Sequence, residues 1–155
     1  MSPLTAAKAT FALNAGECVR RLFFVIFAPD SQQESSPLSG RKSTQATVRI
    51  CEASSVAQDG TSLMRAEIAH GKAYGALALG MGSRALFQRA QEQAYFVDAV
   101  NTLAQGRMVP VPGGVLIMDG ATLIGAVGVS GDTSDNDELC AVAGIEAAGL
   151  KANAG

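Results

Sequence analysis

An α+β domain, an antiparallel sheet with helices packed against it, is the fold this 155-residue chain predicts, and three observations lead to it. Stretches with apolar residues three and four apart, the period of a helix, alternate along the chain with short apolar runs of strand type. The last two of those runs are separated by Asp119-Gly120, a hairpin signal, so they pair antiparallel and a simple doubly wound parallel sheet is excluded. A hydrophobic content of 48% at this length supports one core, and therefore a single domain over residues 1–155.

The first helix is predicted over Leu4 to Leu22, where Leu4, Ala7, Phe11, Ala15, Cys18 and Leu22 share a stripe, Thr5 caps the start and Gly16 weakens the middle. Leu22 to Phe27 follows as a strand buried on both faces, stopped by Pro29-Asp30. Asp30 to Thr47 is polar, rich in Ser and Gln and without period, so it reads as a long loop, which is uncommon inside a compact domain. Val48 to Val56 is a second short strand, and Asp59-Gly60 a turn after it. From Arg65 to Gly82 a helix is predicted with Met64, Ile68, Lys72, Gly75 and Leu79 along one stripe. Its neighbouring stripes, Ala66, Ala69, Gly71, Ala73, Ala76, Ala78 and Gly80, are nearly all small. Each glycine inside a helix costs roughly 1 kcal/mol against alanine, so their number points to the close approach of another backbone or of a flat ligand.

A further helix covers Ser83 to Ala104, with a break near Ala94 and a stop at Gly106. Prolines at 110 and 112 then block regular pairing, and Gly113-Gly114 permits a tight turn. Val115–Met118 and Leu123–Val129 form the hairpin strands. Ser130-Gly131-Asp132 makes a strand-to-helix corner, and the last helix runs from Asp135 to Gly149. Thr133 or Ser134 caps it, with Asp135, Asp137 and Glu138 in its positive first turn.

The formal net charge of −2 offers no attraction to nucleic acid or to an anionic membrane, and no apolar run approaches the length of a span. Cys18, Cys51 and Cys140 are odd in number and far apart, so they make neither a disulfide framework nor a metal pair, and a reducing cytoplasm is expected. Arg20-Arg21 followed by Leu22 to Ala28 faintly resembles a twin-arginine export signal, but the apolar run is short and no small-x-small cleavage site follows.

Three segments carry a family resemblance: Ile68 to Leu77 (IAHGKAYGAL), Val109 to Ile117 (VPVPGGVLI), and Gly125 to Asp132 (GAVGVSGD) continuing through Asp137-Glu138. In order and spacing they resemble the successive signatures of the GlcG/HbpS family, which is also found as the C-terminal domain of some corrinoid adenosyltransferases. The resemblance spans Asp59 to Leu150. It implies a profilin-like antiparallel sheet flanked by helices, a homo-oligomer, and, as in several members, haem as ligand. The first half departs from the family pattern, because Pro29-Asp30-Ser31-Gln32 stands where an Asp-x-Gly-Gly strand turn belongs. Residues 30–58 are therefore read as a divergent loop or insertion, or as a frame-shifted stretch.

His70 is the only histidine, so any imidazole ligation of haem or metal passes through it. Glu67 lies one turn earlier in a Glu-x-x-His spacing used by metal-binding helices, and Tyr74, four residues on, is the alternative oxygen ligand. A hydrogen-bonded surface histidine explains His70 equally simply. Lys72, within the family's Lys-Ala signature, is either a cation for a carboxylate or haem propionate or one half of a structural ion pair. Gly113 and Gly114 either bring backbone N–H groups to a ligand or serve sheet geometry; the absence of a following Gly-Lys-Ser/Thr excludes a phosphate loop. Ser130 has no Ser-His-Asp set to activate it and is read as a strand-to-helix corner residue, with a place beside the ligand pocket as the alternative. Met108, Met118 and Phe96 are either a haem-facing wall or core.

The leading expectation is a non-enzymatic haem-binding or other tetrapyrrole-binding protein, with the ligand between the Arg65–Gly82 helix and the Pro110–Gly114 loop. The alternatives are an accessory protein or enzyme that binds a small hydroxyacid-like metabolite, with Lys72 as anion clamp, and an oligomeric interaction module with a vestigial pocket.

Overall fold

The computed structural model describes residues 60–155 in full and, before them, the backbone of two strands, Phe23–Pro29 and Ile50–Val56. The helix expected over 4–22, the loop expected over 30–47 and the side chains of the first strand, expected to be buried on both faces, lie outside the described residues.

In chain order the elements are β1 (Phe23–Pro29), β2 (Ile50–Val56), α1 (Leu63–Leu79), α2 (Ser83–Glu92), α3 (Ala94–Leu103), β3 (Gly114–Asp119), β4 (Thr122–Ser130), α4 (Ser134–Ala147) and β5 (Lys151–Asn153). The five strands form one sheet in the order β2-β1-β4-β3-β5, and every neighbouring pair is antiparallel. The α+β class and the β3–β4 hairpin thus stand as expected, with Gly120 at a φ of 60° in the turn. β5 was not foreseen. Its three residues pair with β3 after the last helix and are too few to show a period of their own.

Alternation along β3 and β4 sorts the core into two layers, because successive strand residues point to opposite faces. Val115, Ile117, Val127 and Val129 pack with Ala141 and Ile145 of α4. Leu116 and Ala126 pack on the other face with Ala69, Ala73, Ala76 and Leu77 of α1. The sheet is therefore covered by α1 on one side and α4 on the other, and α1 runs over β4, β1 and β3.

The small-residue side of α1 is its buried side, as the density of alanine and glycine implied. Gly114 and Gly128 are direct cross-strand partners on the same sheet face. A β-carbon on Gly128 would run into the Ala69 carbonyl, and one on Gly114 into the Lys72 carbonyl. The paired glycines leave a patch without side chains, and the helix backbone rests on it. Helix α1 ends earlier than the expected Gly82, because Gly80 adopts a φ of 63° and its N–H bonds back to the Ala76 and Leu77 carbonyls. The helical stretch after it is broken at Gln93, with φ −133° and ψ 55°, one residue from the expected position. Thr133 caps α4 through its hydroxyl, which accepts from Asn136 N–H at 3.3 Å.

Candidate functional site

At the end of the sheet where β3 begins and β4 finishes, a closed polar cluster joins the two helical layers. Lys72 of α1 donates through Nζ to Asp137 Oδ2 of α4 at 2.7 Å and to the Val129 carbonyl at 3.0 Å. The two side chains are 2% and 1% exposed, so the pair is sealed from water. The other oxygen of Asp137 accepts from the backbone N–H groups of Gly131 and Asp132 at 2.9 and 3.0 Å. Asp137 thereby holds the β4-to-α4 corner as well as the lysine. Burial pushes the Lys72 ammonium below its ordinary pKa, while the hydrogen bond and charge of Asp137 pull it back part of the way. Ser83, fully buried at the start of α2, accepts from Gly114 N–H at 2.6 Å and keeps the β3 start in place.

This geometry locates seven of the sequence candidates, among them Met118, which is partly buried against the α1 layer of the core. Lys72 points inward to Asp137, the ion-pair half of its two readings. Gly113, at a φ of 114°, and Gly114 are buried against Lys72 of α1. Ser130 is buried at the corner, and its hydroxyl lies 3.4 Å from Arg65 Nη1. Met108 is core, packed where Gly75 and Leu86 meet, whereas Phe96 carries the Arg89 guanidinium at 4.1 Å from its ring.

The remaining candidates meet on the outer side of α1. His70 and Tyr74 are half-buried there, and Glu67 is exposed one turn earlier. The segment Arg107–Val109 crosses the helix between the first two: Val109 N–H donates to the Gly71 carbonyl at 3.2 Å, and a side chain on Gly71 would collide with Val109. That crossing sets the Arg107 guanidinium over the Tyr74 ring, 4.7 Å from its centre, with Nε donating to the Ala104 carbonyl at 3.0 Å. Burial first, and the charge of Arg107 second, hold the His70 imidazole below its ordinary pKa. At neutral pH the ring is therefore neutral, the form that ligates a metal. Among the described residues no group of three or more His, Cys, Asp or Glu side chains could hold a metal ion.

Two contributors escaped the sequence reading. Asp137 is read there as a helix-start residue and as the end of the third family segment, because nothing in its local pattern connects it with a lysine 65 positions away. Arg107 is not singled out there. Its sole local signal is a cation one residue after a helix-stopping glycine, which does not reveal what it faces.

The fold and site define an α+β protein with two helical layers locked by a buried ion pair and with a neutral imidazole on one helix's outer side. Residues 41–146 match the family described as haem-degrading protein HbpS-like, so the chain belongs to the HbpS-like family. The match begins within the stretch read as divergent, and β2, inside that stretch, pairs antiparallel with β1, with one register shift between Ala28 and Pro29. No curated protein sequence matches the chain closely enough to count as a relative. Among solved structures the chain is similar to PduOC in a complex with haem, at 20% identity and a TM-score of 0.70 over 97% of this chain and 96% of that one. It is similar to HbpS at 18% identity and a TM-score of 0.67, covering 94% and 88% of the two chains. The Klebsiella pneumoniae protein ORFY gives 17% identity and a TM-score of 0.69, covering 96% and 90%. Likeness at these identities shows the shared fold. Among the described residues no helix is long and apolar enough to cross a membrane.

Proposed function

We propose that this protein binds haem at the outer side of α1, with His70 as the axial ligand. One observation carries the reading: the only imidazole of the chain stands half-buried on that helix and is kept neutral by burial and by Arg107. Ligation takes one ring nitrogen and leaves the second for a hydrogen bond that orients the ring. The family's haem-degrading description and the haem complex of PduOC support the choice of ligand.

In this reading Tyr74 is the alternative oxygen donor on the same helix side, and Glu67 the nearest carboxylate along the helix before His70. Lys72, Gly113, Gly114 and Ser130 act at a distance from the ligand, by fixing α1 on the sheet so that His70 keeps its position. When bound, haem supplies iron redox and small-ligand chemistry; the chain would supply a nitrogen donor and a cation. One histidine per copy leaves at most one imidazole from each chain for the iron.

Titration of the purified protein with ferric haem tests this directly. A saturable Soret change is expected, and His70→Ala is expected to shift or abolish it while leaving the far-ultraviolet circular dichroism intact. Absence of saturable binding removes the reading, and a spectrum unchanged in His70→Ala removes His70 as the ligand. We also infer a homo-oligomer, as the family resemblance implies. Light scattering after size exclusion checks it, and a clean monomer contradicts it.

A further inference from the structure

Lys72, the cation that the sequence singled out for a ligand carboxylate, is sealed against Asp137, so a ligand on the outer side of α1 needs another anion partner. We propose that Arg107 is that partner: it makes this site selective for flat tetrapyrroles that carry free carboxylates. The inference rests on the haem-binding reading above and extends it to the class of ligand.

Three features of the structure support Arg107. Its position is set by the backbone, because Arg107–Val109 is tied to α1 by the Val109–Gly71 hydrogen bond and by close packing at Gly71. Its guanidinium is held at both levels, by the Nε bond to the Ala104 carbonyl and by the Tyr74 ring beneath it. An arginine held in this way loses less rotational freedom on meeting a carboxylate than a free surface side chain does. Its terminal nitrogens make no ion pair with a carboxylate among the described residues, whereas Lys72 and Arg84 are each paired. The fork is thus available for bidentate carboxylate recognition, and it stands beside the imidazole proposed to bind the iron.

Paired titrations of ferric protoporphyrin IX and its dimethyl ester separate this inference from the reading beneath it. The wild-type protein is expected to bind the diacid tighter than the ester by roughly five- to tenfold, as a charge-assisted contact at a partly exposed site affords. High salt narrows that difference, because only the diacid contact is ionic. Arg107→Gln is expected to bring the two ligands close to parity, mainly by weakening the diacid, and Arg107→Lys to retain part of the preference. The Soret position stays that of the wild type in both variants, since His70 is untouched. Equal wild-type affinity for the two ligands, or a preference that survives Arg107→Gln, overturns the role of Arg107 and leaves haem binding standing. Failure of both ligands to bind overturns haem binding and the role of Arg107 together.

Discussion

Lys72 and His70 lie two residues apart on α1, and their surroundings differ as much as any two places in the described structure. Residues two apart on a helix face nearly opposite ways. Lys72 is turned into the junction of β3, β4 and α4, where its ammonium bonds Asp137 and the Val129 carbonyl and the second Asp137 oxygen accepts from two backbone N–H groups. His70 is turned outward, beside an arginine that has no carboxylate partner among the described residues. The inner residue couples the two helical layers, and the outer one is the residue proposed to hold a ligand. A charged residue within a family signature is therefore not by itself a ligand contact; its role depends on which way its turn of helix faces.

The largest effect is expected where the inner cluster is broken. Asp137→Ala leaves a buried ammonium and two backbone N–H groups without their acceptor and is expected to cost about 3–5 kcal/mol, read from urea unfolding. Combining Lys72→Met with Asp137→Asn is expected to recover much of that loss, because the amide oxygen still accepts from Gly131 and Asp132 while no charge remains to be compensated. If the double variant is no more stable than Asp137→Ala, the cluster is held by something other than the ion pair.

Gly128→Ala is the next test. Its β-carbon meets the Ala69 carbonyl, which is backbone and cannot rotate away, so α1 must lift from the sheet. A loss of about 3 kcal/mol is expected, at the upper end of the range for overpacking. A matching fall in haem affinity would tie the seating of α1 to the outer site.

Arg84 provides an exposed counterpart to Lys72. It also bridges to α4, through Glu138 at 2.9 Å and Asp135 at 2.6 Å, but in contact with solvent. Arg84→Ala is therefore expected to cost no more than about 1 kcal/mol. A loss as large as that of Asp137→Ala would erase the distinction drawn between the buried and the exposed pairs.

The smallest effect is a dependence on pH. The folded-state pKa of His70 is lowered, so between the ordinary value of 6.5 and that lower value the unfolded chain takes up a proton that the folded chain refuses. Stability is lost as the pH falls through this window and levels off below it. His70→Gln is expected to flatten this slope, and unfolding curves at stepped pH check it. A slope unchanged in the variant would assign the effect to another group.

Much of the fold was legible because its signals are local. The DG step marked the β3–β4 hairpin, the small-residue stripe marked the buried side of α1, and the Thr133-Ser134 pair marked the start of α4. β5 was not legible, since three residues have no period and their pairing depends on the exposed edge of β3. His70 and Tyr74 could be named from spacing along one helix. The grouping of Arg107 with them could not, because it follows from a loop crossing α1 at Gly71.

The sequence by itself determined the α+β class, the helix periods, the hairpin and the presence of a single imidazole, all properties of neighbouring residues and of composition. Only the tertiary structure decided that Lys72 pairs with Asp137, that Gly114 and Gly128 meet as a seat for α1, and that Arg107 stands over Tyr74. Each of these joins segments far apart in the chain, and such contacts depend on which face of an element is turned inward once the layers have packed.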